Sequence, residues 1–281
     1  MKMKLQVADC RLQVARRNPS ARNTFDLRRA FTLIELLVVI TILSILVALS
    51  VPALKSLNKS NVQVSAGRQL LDDIARARQL AMSQHTTVYM VFVPAIWNWS
   101  ASFQTPATTN LLDKQFTGYN FLSLRSVGDQ PGQGSSQYLA EWKSLPDGMF
   151  IATNKFYSDT TIYDNSFTRS VPYAINQFNY TNNLPFPAAT NSTGISLPYI
   201  AFNYLGQLVV NDTTPWPRSY EYIPLAQGIV TYAANPVTKA LQFAAPDVAE
   251  NPPGNSTNSM FNVIRIDRLT GRAVQLQQKV Q

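Results

Sequence analysis

The chain offers few side chains that could carry out catalysis. A nucleophilic serine or cysteine needs a base that titrates near neutral pH, and His85 is the only histidine. It lies where a predicted helix gives way to a predicted strand, so a solvent-facing or capping role is expected. Cys10 is the only cysteine, which excludes a metal site of the Cys/His type. Asp159, Asp164 and Asn165 could in principle bind calcium, but they lack a calcium-loop spacing and are interpreted as surface residues. The sequence therefore predicts a protein that is not an enzyme and that has no cofactor and no metal.

The positive charge of the chain is concentrated at its N-terminus. The net charge is +8 and the pI is about 9.6, values that normally point to nucleic acid or to an anionic membrane. Residues 1–30 contain eight lysines and arginines and two aspartates, so they hold +6 of that charge. Residues 31–281 are nearly neutral, and the overall basicity by itself does not predict a nucleic-acid partner.

Residues 31–51 form an almost continuous apolar run that contains a single charge, Glu35. A helix of this length spans about 30 Å, the hydrocarbon thickness of a bilayer. Arg28 and Arg29 precede the run, so the positive-inside rule places the N-terminus in the cytoplasm and the bulk of the chain on the other side. A carboxylate in lipid costs about 2.5–3.5 kcal/mol even on lenient scales, so we expect Glu35 to have a counter-charge.

Three interpretations of this run compete. A secretory signal peptide would be cut after the run, and residues 48–50 offer small side chains for that cut. A plain signal anchor explains the length of the run but not its acid. Cleavage between Ala30 and Phe31 would instead free an α-amino group four residues before Glu35, and the amine of one subunit could neutralise the carboxylate of its neighbour.

The segment from Arg29 to Glu35, with the sequence RAFTLIE, resembles the cleavage and methylation motif of type IV prepilins and of the pseudopilins of type II secretion. The resemblance implies that a prepilin peptidase cuts before Phe31 and methylates its amine, and that Glu35 guides subunits into register in a helical filament. Ala30 stands where the family usually has glycine, and it is small enough to fit there. Pro52 follows the run, as a proline does in pilins, and is expected to kink the helix rather than end it.

Four segments are predicted along the chain. They are a basic leader that is removed (1–30), the transmembrane half of a long helix (31–52), the amphipathic half of that helix (53–86) and a periplasmic β-rich domain (87–281). A loop-rich insertion with short strands that decorate the sheet is predicted at about 95–198, where Asn, Thr, Ser and Pro are frequent and no long periodic segment occurs. The predicted fold is therefore α+β and pilin-like, with the long helix packed on a mostly antiparallel sheet.

Periodic patterns support this division on either side of the insertion. Four apolar residues recur at helical spacing in the amphipathic half, which predicts an amphipathic helix that reaches to about Gln84: Leu70, Ile74, Ala77 and Ala81. Thr87–Val93 is rich in β-branched and aromatic residues, which predicts the first strand. The passage from Ile74 to Val93, and the later stretch from Tyr199 to Gly206, are similar to minor pseudopilins of the GspH/FimT type.

The C-terminal part of the chain has the pattern of paired strands. Residues 261–267 and 272–276 alternate with period two around a turn that contains Gly271, which predicts a hairpin. Two further strands are predicted at residues 229–233 and 240–244.

Arginines in the final hairpin allow a second interpretation, in which the domain is a DNA receptor. Arg265, Arg268 and Arg272 could supply a few phosphate contacts. DNA-binding relatives are expected to end in a Gly-Arg-x-Arg pattern, and here Val274 occupies the place of the second arginine. Solvated strand residues are the simpler explanation, so a nucleic-acid partner is not expected.

These observations together predict a minor pseudopilin or pilin-like subunit of a type II secretion or type IV pilus-like filament. Its expected partners are other pilin or pseudopilin subunits, prepilin peptidase, an inner-membrane assembly platform and membrane lipid. The expected location is the bacterial inner membrane, with one membrane crossing and a periplasmic domain. The alternatives are a pilin-like DNA receptor and an exported binding protein that forms no filament.

Overall fold

A computed structural model describes residues 32–97, 99, 103–130, 134–157, 160–164, 171–190, 194–256 and 262–277. The chain divides into two compact units, residues 1–52 and residues 53–281. The first helix, α1, is Leu33–Gln84 and belongs to both units. The helix continues through Pro52, as predicted. That Pro52 kinks the helix stays a prediction.

Within the first unit, α1 begins two residues after the predicted cleavage point. Thr32 is the first described residue and Leu33 is the first helical one. Among the described residues, none of the helices combines the length and the apolarity needed to cross a membrane. That residues 31–52 are the transmembrane half of the helix stays a prediction.

Within the second unit, α1 buries one stripe of small and apolar side chains. Five residues of this stripe are fully buried: Ala66, Leu70, Ile74, Ala77 and Ala81. Four of them are those predicted from helical spacing, so the predicted stripe is confirmed. Gly67 lies beside the stripe, and a Cβ at this position would lie 2.6 Å from the side-chain oxygen of Gln275. The glycine weakens the helix locally, but it lets a C-terminal strand approach the helix closely.

The helix ends as the sequence predicts, at Gln84. His85 adopts a left-handed backbone conformation with φ of 49°, and the Thr86 N–H donates to the Ala81 carbonyl at 3.3 Å. This is the hydrogen bond of a Schellman motif, in which the residue after the helix turns the chain back. His85 is exposed, and it caps the helix through its backbone.

Fourteen strands, two short α-helices and a 3₁₀-helix at Leu112–Lys114 are described after α1. The strands are β1 Val88–Phe92, β2 Gly118–Ser123, β3 Gln137–Tyr138, β4 Lys143–Ser144, β5 Met149–Ile151, β6 Thr160–Asp164, β7 Val171–Ile175, β8 Asn179–Pro185, β9 Gly194–Phe202, β10 Leu208–Val209, β11 Tyr220–Thr231, β12 Asp247–Glu250, β13 Asn262–Asp267 and β14 Ala273–Gln277. The α-helices are α2 Pro106–Thr109 and α3 Asn154–Tyr157.

The described strands form three antiparallel sheets. A seven-stranded sheet has the order β10-β9-β1-β2-β3, with β4 also paired to β2 and β8 to β9. A five-stranded sheet has the order β12-β11-β13-β14, with β5 also paired to β11, and β6 and β7 form a separate pair. The α+β class and the antiparallel pairing are confirmed. The expectation of one sheet is wrong, because β11 and β13 form a sheet of their own.

The main core lies between α1 and the two larger sheets. It contains the buried stripe of α1 and apolar side chains from both sheets, such as Phe92, Phe202 and Ile264. A second core covers the opposite face of β1 and its neighbours, where Val91, Leu122 and others are buried. Because both faces of β1 are covered, every residue of this strand is buried. Burial on two sides explains why the predicted first strand reads as a continuous apolar run rather than an alternating one.

The region 95–198, predicted to be a loop-rich insertion with short strands, contains strands that belong to both larger sheets. β2 pairs with β1 along its length and is buried throughout, and β5 pairs with β11 in the other sheet.

Two corrections concern the strands predicted in the C-terminal part of the chain. Residues 229–231 are the end of the longer strand β11, and residues 240–244 form only an isolated bridge between Leu241 and Ala234. The strands of these regions show no clear alternation of apolar and polar residues, because some are buried on two sides and many are interrupted by turns.

Candidate processing and assembly site

The first turn of α1 is organised by Thr32. Its side-chain hydroxyl accepts a hydrogen bond from the Glu35 backbone N–H at 3.3 Å, and its carbonyl accepts one from the Leu36 N–H at 3.1 Å. Thr32 is thus the N-cap of the helix and Glu35 is the third helical residue, the spacing of a capping box. Sequence reasoning missed Thr32, although threonine three residues before glutamate at the head of an apolar run is the signature of this cap.

Glu35 lies in the first turn of α1 and is exposed. A negative charge at this position is favoured by the partial positive charge of the helix N-terminus. The described residues offer its carboxylate no hydrogen bond and no ion pair. Its predicted partner is the amine of Phe31, and Phe31 lies outside the described residues.

The helical surface that follows Glu35 is apolar on all sides. Twelve large apolar side chains between Leu33 and Val47 are each between 42% and 82% exposed. The two hydroxyl groups in this stretch bond to their own helix, Thr41 Oγ1 to the Val38 carbonyl at 2.8 Å and Ser44 Oγ to the Ile40 carbonyl at 2.7 Å. Polar atoms are therefore turned inward along the helix, and the outer surface is left for apolar contacts.

Other residues predicted for this site cannot be placed. Arg28, Arg29, Ala30 and Phe31 lie outside the described residues, so the orientation charges and the cleavage position stay predictions. Pro52 is within α1.

The three C-terminal arginines do not form one free basic surface. The guanidinium group of Arg265 lies 4.9 Å from the centre of the Tyr220 ring. Arg268 donates to the Trp216 carbonyl at 3.2 Å. Arg272 is exposed in the turn between β13 and β14. Two of the three side chains therefore make contacts within the domain.

The strongest cluster of charged groups in the second unit is structural. Lys155 and Glu221 form a fully buried ion pair. Glu221 also accepts from the Trp216 indole at 3.1 Å and from Arg218 at 3.3 Å, and Lys155 donates to the Asn176 carbonyl at 2.6 Å. Lys155 and Glu221 are buried and paired with each other, so neither is presented to a substrate as a free acid or base. Within the described part of the chain, no group of His, Cys, Asp and Glu residues could hold a metal ion.

Residues 27–51 match the family model of the prokaryotic N-terminal methylation motif. This match supports a type IV pilin-like subunit that is processed by prepilin peptidase. It covers the capped helix start, Glu35 and the exposed apolar surface, together with the predicted cleavage position. No curated protein matches the chain significantly, and no solved structure does so either. The motif suggests a membrane-anchored protein that faces the periplasm and assembles with other pilin subunits.

Proposed function

We propose that the chain is a minor pseudopilin or pilin-like subunit of a type II secretion or type IV pilus-like filament. Prepilin peptidase cuts it between Ala30 and Phe31 and methylates the new amine. The function is mechanical, and the chain is not an enzyme. Its work is to pack its N-terminal helix among other subunits and to present residues 53–281 to its surroundings.

The observation that carries this proposal is the exposed apolar surface between Leu33 and Val47. Exposed apolar area costs about 25 cal/mol per Å² in water, so such a surface needs a covering. An apolar pattern on every side of a helix is typical of a segment surrounded by lipid or by other helices. Lipid would cover this helix before assembly, and neighbouring subunits would cover it in the filament.

In this proposal, Glu35 sets the axial offset between the helices of neighbouring subunits. An unpaired carboxylate in an apolar surrounding costs about 2.5–3.5 kcal/mol or more. The freed amine of Phe31 on a neighbouring subunit removes that cost by forming an ion pair. Only one axial offset between two helices brings the two groups together, so the pair selects the offset.

The orientation of the subunit follows from the charges before the helix. Arg28 and Arg29 keep the N-terminus in the cytoplasm of the inner membrane, where the peptidase acts, and the domain lies in the periplasm. The partners are other pilin or pseudopilin subunits, prepilin peptidase, an inner-membrane assembly platform and lipid. No described contact favours DNA as a partner.

The experiment is to replace Glu35 with leucine in the full chain, with Thr41→Leu as the matched control in the same exposed surface. Both variants are expected to enter the membrane fraction and to give a mature N-terminus at methylated Phe31 by mass spectrometry. Glu35→Leu is expected to be lost from sheared or pelleted filaments, whereas Thr41→Leu is retained. Normal incorporation of Glu35→Leu would contradict the proposed ion pair.

The mass spectrum and a gel shift distinguish the two alternative functions from the proposed one. An N-terminus near Val51 would support an exported protein that forms no filament. A salt-dependent gel shift with the full chain, lost in Arg272→Ala, would support a DNA receptor.

A further inference from the structure

Two turns of the second unit hold apolar side chains out into solvent. One turn, residues 203–207, joins β9 to β10, and the other, residues 268–272, joins β13 to β14. Tyr204 is 55% exposed, Leu205 57% and Leu269 62%. We call these three residues the turn patch. Exposed apolar side chains that cluster in this way mark an interaction surface more often than single ones do.

Each turn is held by a side chain that accepts two hydrogen bonds. Asn203 Oδ1 accepts from the backbone N–H groups of Leu205 at 3.0 Å and Gln207 at 2.9 Å. Asp267 Oδ1 accepts from the Thr270 N–H at 2.8 Å and from its hydroxyl at 2.9 Å. Such turns are rigid before any partner arrives, which lowers the entropy cost of binding.

The two turns touch each other and rest on α1. A side chain at Gly271 would collide with the carbonyl oxygen of Gly206, so both glycines are needed for this contact. Arg78 on α1 donates to the same carbonyl at 3.3 Å. A Cβ at Gly206 would lie 3.0 Å from the sulfur of Met82. The turn patch is therefore a fixed surface beside the C-terminal part of α1, and Arg272 is exposed next to it.

A second apolar surface of the same unit is concave. It is a hollow of about 240 Å³ lined by Val62 of α1 and by Gly148, Gly228 and Ile229, among others. Ile229 is 65% exposed. We call this the apolar hollow. Asp147 lines its rim, and an adjoining cavity that shares Asp147 is also lined by Asp113.

The two surfaces lie at different heights along α1. The apolar hollow includes Val62 of the helix, and the turn that carries Tyr204 and Leu205 contacts the helix through Gly206, at Arg78 and Met82. Sixteen to twenty residues of helix correspond to about 24–30 Å. A convex patch and a concave one can pair reciprocally in a closed two-fold dimer, in which each copy places its patch in the hollow of the other. They can also pair head to tail, in a contact that repeats without closing and so builds a filament, as the proposed function requires.

We propose that the turn patch of one copy binds in the apolar hollow of the next copy, with Arg272 facing Asp147. The proposal rests on the proposed function, because it names the contact between domains of adjacent subunits. Both surfaces are apolar, and Arg272 beside the turn patch and Asp147 at the hollow carry opposite charges. A DNA partner would leave Tyr204, Leu205 and Leu269 without contacts, and a lipid partner would leave the hollow unused.

The test is cysteine crosslinking of the full chain in membranes. Cys10 is the only native cysteine, so Cys10→Ser gives a clean background. Leu205→Cys and Ile229→Cys are made separately and co-expressed, then treated with a short bifunctional thiol reagent. The expected product is a crosslinked dimer that needs both variants, and a chain carrying both cysteines is expected to give a ladder of larger products.

The matched control is Val237→Cys, which is 86% exposed and belongs to neither surface. Paired with Ile229→Cys it is expected to give only the background level of dimer. A chain carrying both cysteines that gives only a dimer and no larger products would mean a closed two-fold contact and would overturn the proposal. Crosslinking of Leu205→Cys to itself would overturn it too, because the two turn patches would then face each other. Crosslinking of Leu205→Cys to a different protein would overturn it as well.

Exchanging the charges at positions 272 and 147 is a second test of the proposed contact. Arg272→Asp alone and Asp147→Arg alone are each expected to reduce the crosslink between positions 205 and 229, and the two together are expected to restore it. A double variant as weak as the single ones would contradict the facing of the two groups.

Val39→Cys separates failure of this contact from failure of the proposed function. Its crosslinking to itself reports packing of N-terminal helices and is expected to disappear with Glu35→Leu. If position 39 crosslinks and the 205–229 pair does not, the proposed contact between domains is wrong, and the proposal that the chain is a filament subunit is retained. If neither crosslinks, both proposals fail.

Discussion

The two parts of α1 differ in where their apolar side chains find contacts. Between Leu33 and Val47 the large apolar side chains are exposed on every side. Between Ala66 and Ala81 a single stripe is buried against the sheets, and the rest of the surface is polar or partly exposed. An apolar surface on all sides requires a covering from outside the chain, whereas one stripe is satisfied within the fold.

The acids of the helix show the same difference. Glu35 is exposed and has no described partner. Asp73 is buried and accepts from the Tyr119 hydroxyl at 2.6 Å and from Lys143 at 2.5 Å. Burial and the hydrogen bond to Asp73 raise the pKa of Tyr119, so the tyrosine remains a donor. Polar groups of the second part serve the fold, and the acid of the first part is available to another molecule.

The largest expected effect comes from truncating one leucine in each part. Leu70→Ala is expected to lower the free energy of unfolding of the second unit by about 2–5 kcal/mol, because it removes buried side-chain volume. Leu37→Ala, the matched control, is expected to change it by less than about 0.5 kcal/mol. All four tryptophans lie between residues 97 and 216, so urea titration followed by tryptophan fluorescence reports on this unit. Equal losses would contradict the difference between the two parts.

The next largest effect concerns the acids. Asp73→Leu is expected to cost roughly 1.5–3 kcal/mol, because Tyr119 and Lys143 lose a charged acceptor. Glu35→Leu is expected to leave the same urea transition in place while it blocks assembly. If Glu35→Leu destabilised the second unit, its role would lie in the fold and not in contacts between subunits.

A smaller effect is expected at the helix start. Thr32→Ala removes the cap and is expected to cost the first turn about 0.5–2 kcal/mol, whereas Thr32→Ser keeps the hydroxyl. Hydrogen exchange of the Glu35 amide measures this directly. The amide should exchange faster in Thr32→Ala and remain protected in Thr32→Ser. Unchanged protection in the alanine variant would show that the cap does not hold this turn.

The smallest effect concerns pH and the turn that carries Leu269. Hydrogen bonds, above all from the Thr270 N–H, hold the pKa of Asp267 below its ordinary value of 3.8. A lowered pKa in the folded state stabilises the fold above the ordinary pKa, and the stabilisation is lost as pH falls through the folded-state pKa. Asp267→Asn is therefore expected to show a smaller fall in urea midpoint on acidification below about pH 4. An identical fall in both proteins would contradict this role of Asp267.

Local patterns predicted the parts of the fold that depend on neighbours in sequence. The stripe from Leu70 to Ala81, the helix end at Gln84, the first strand and the final hairpin around Gly271 were all confirmed. Each rests on a period or on a turn residue, which the sequence displays directly. The cap at Thr32 had an equally local signature and was missed.

The amino-acid sequence by itself determined the N-terminal segment: its charges, its apolar run, the place of Glu35 and the methylation motif at residues 27–51. Tertiary structure alone decided that β2 joins the first sheet, that β11 and β13 form a second one, and that the turns at Gly206 and Gly271 meet on Arg78. The physical reason is the distance along the sequence over which each feature is encoded. A motif and a helical stripe are encoded within a few turns of chain, whereas strand partners and touching turns depend on residues far apart in sequence, which no local pattern records.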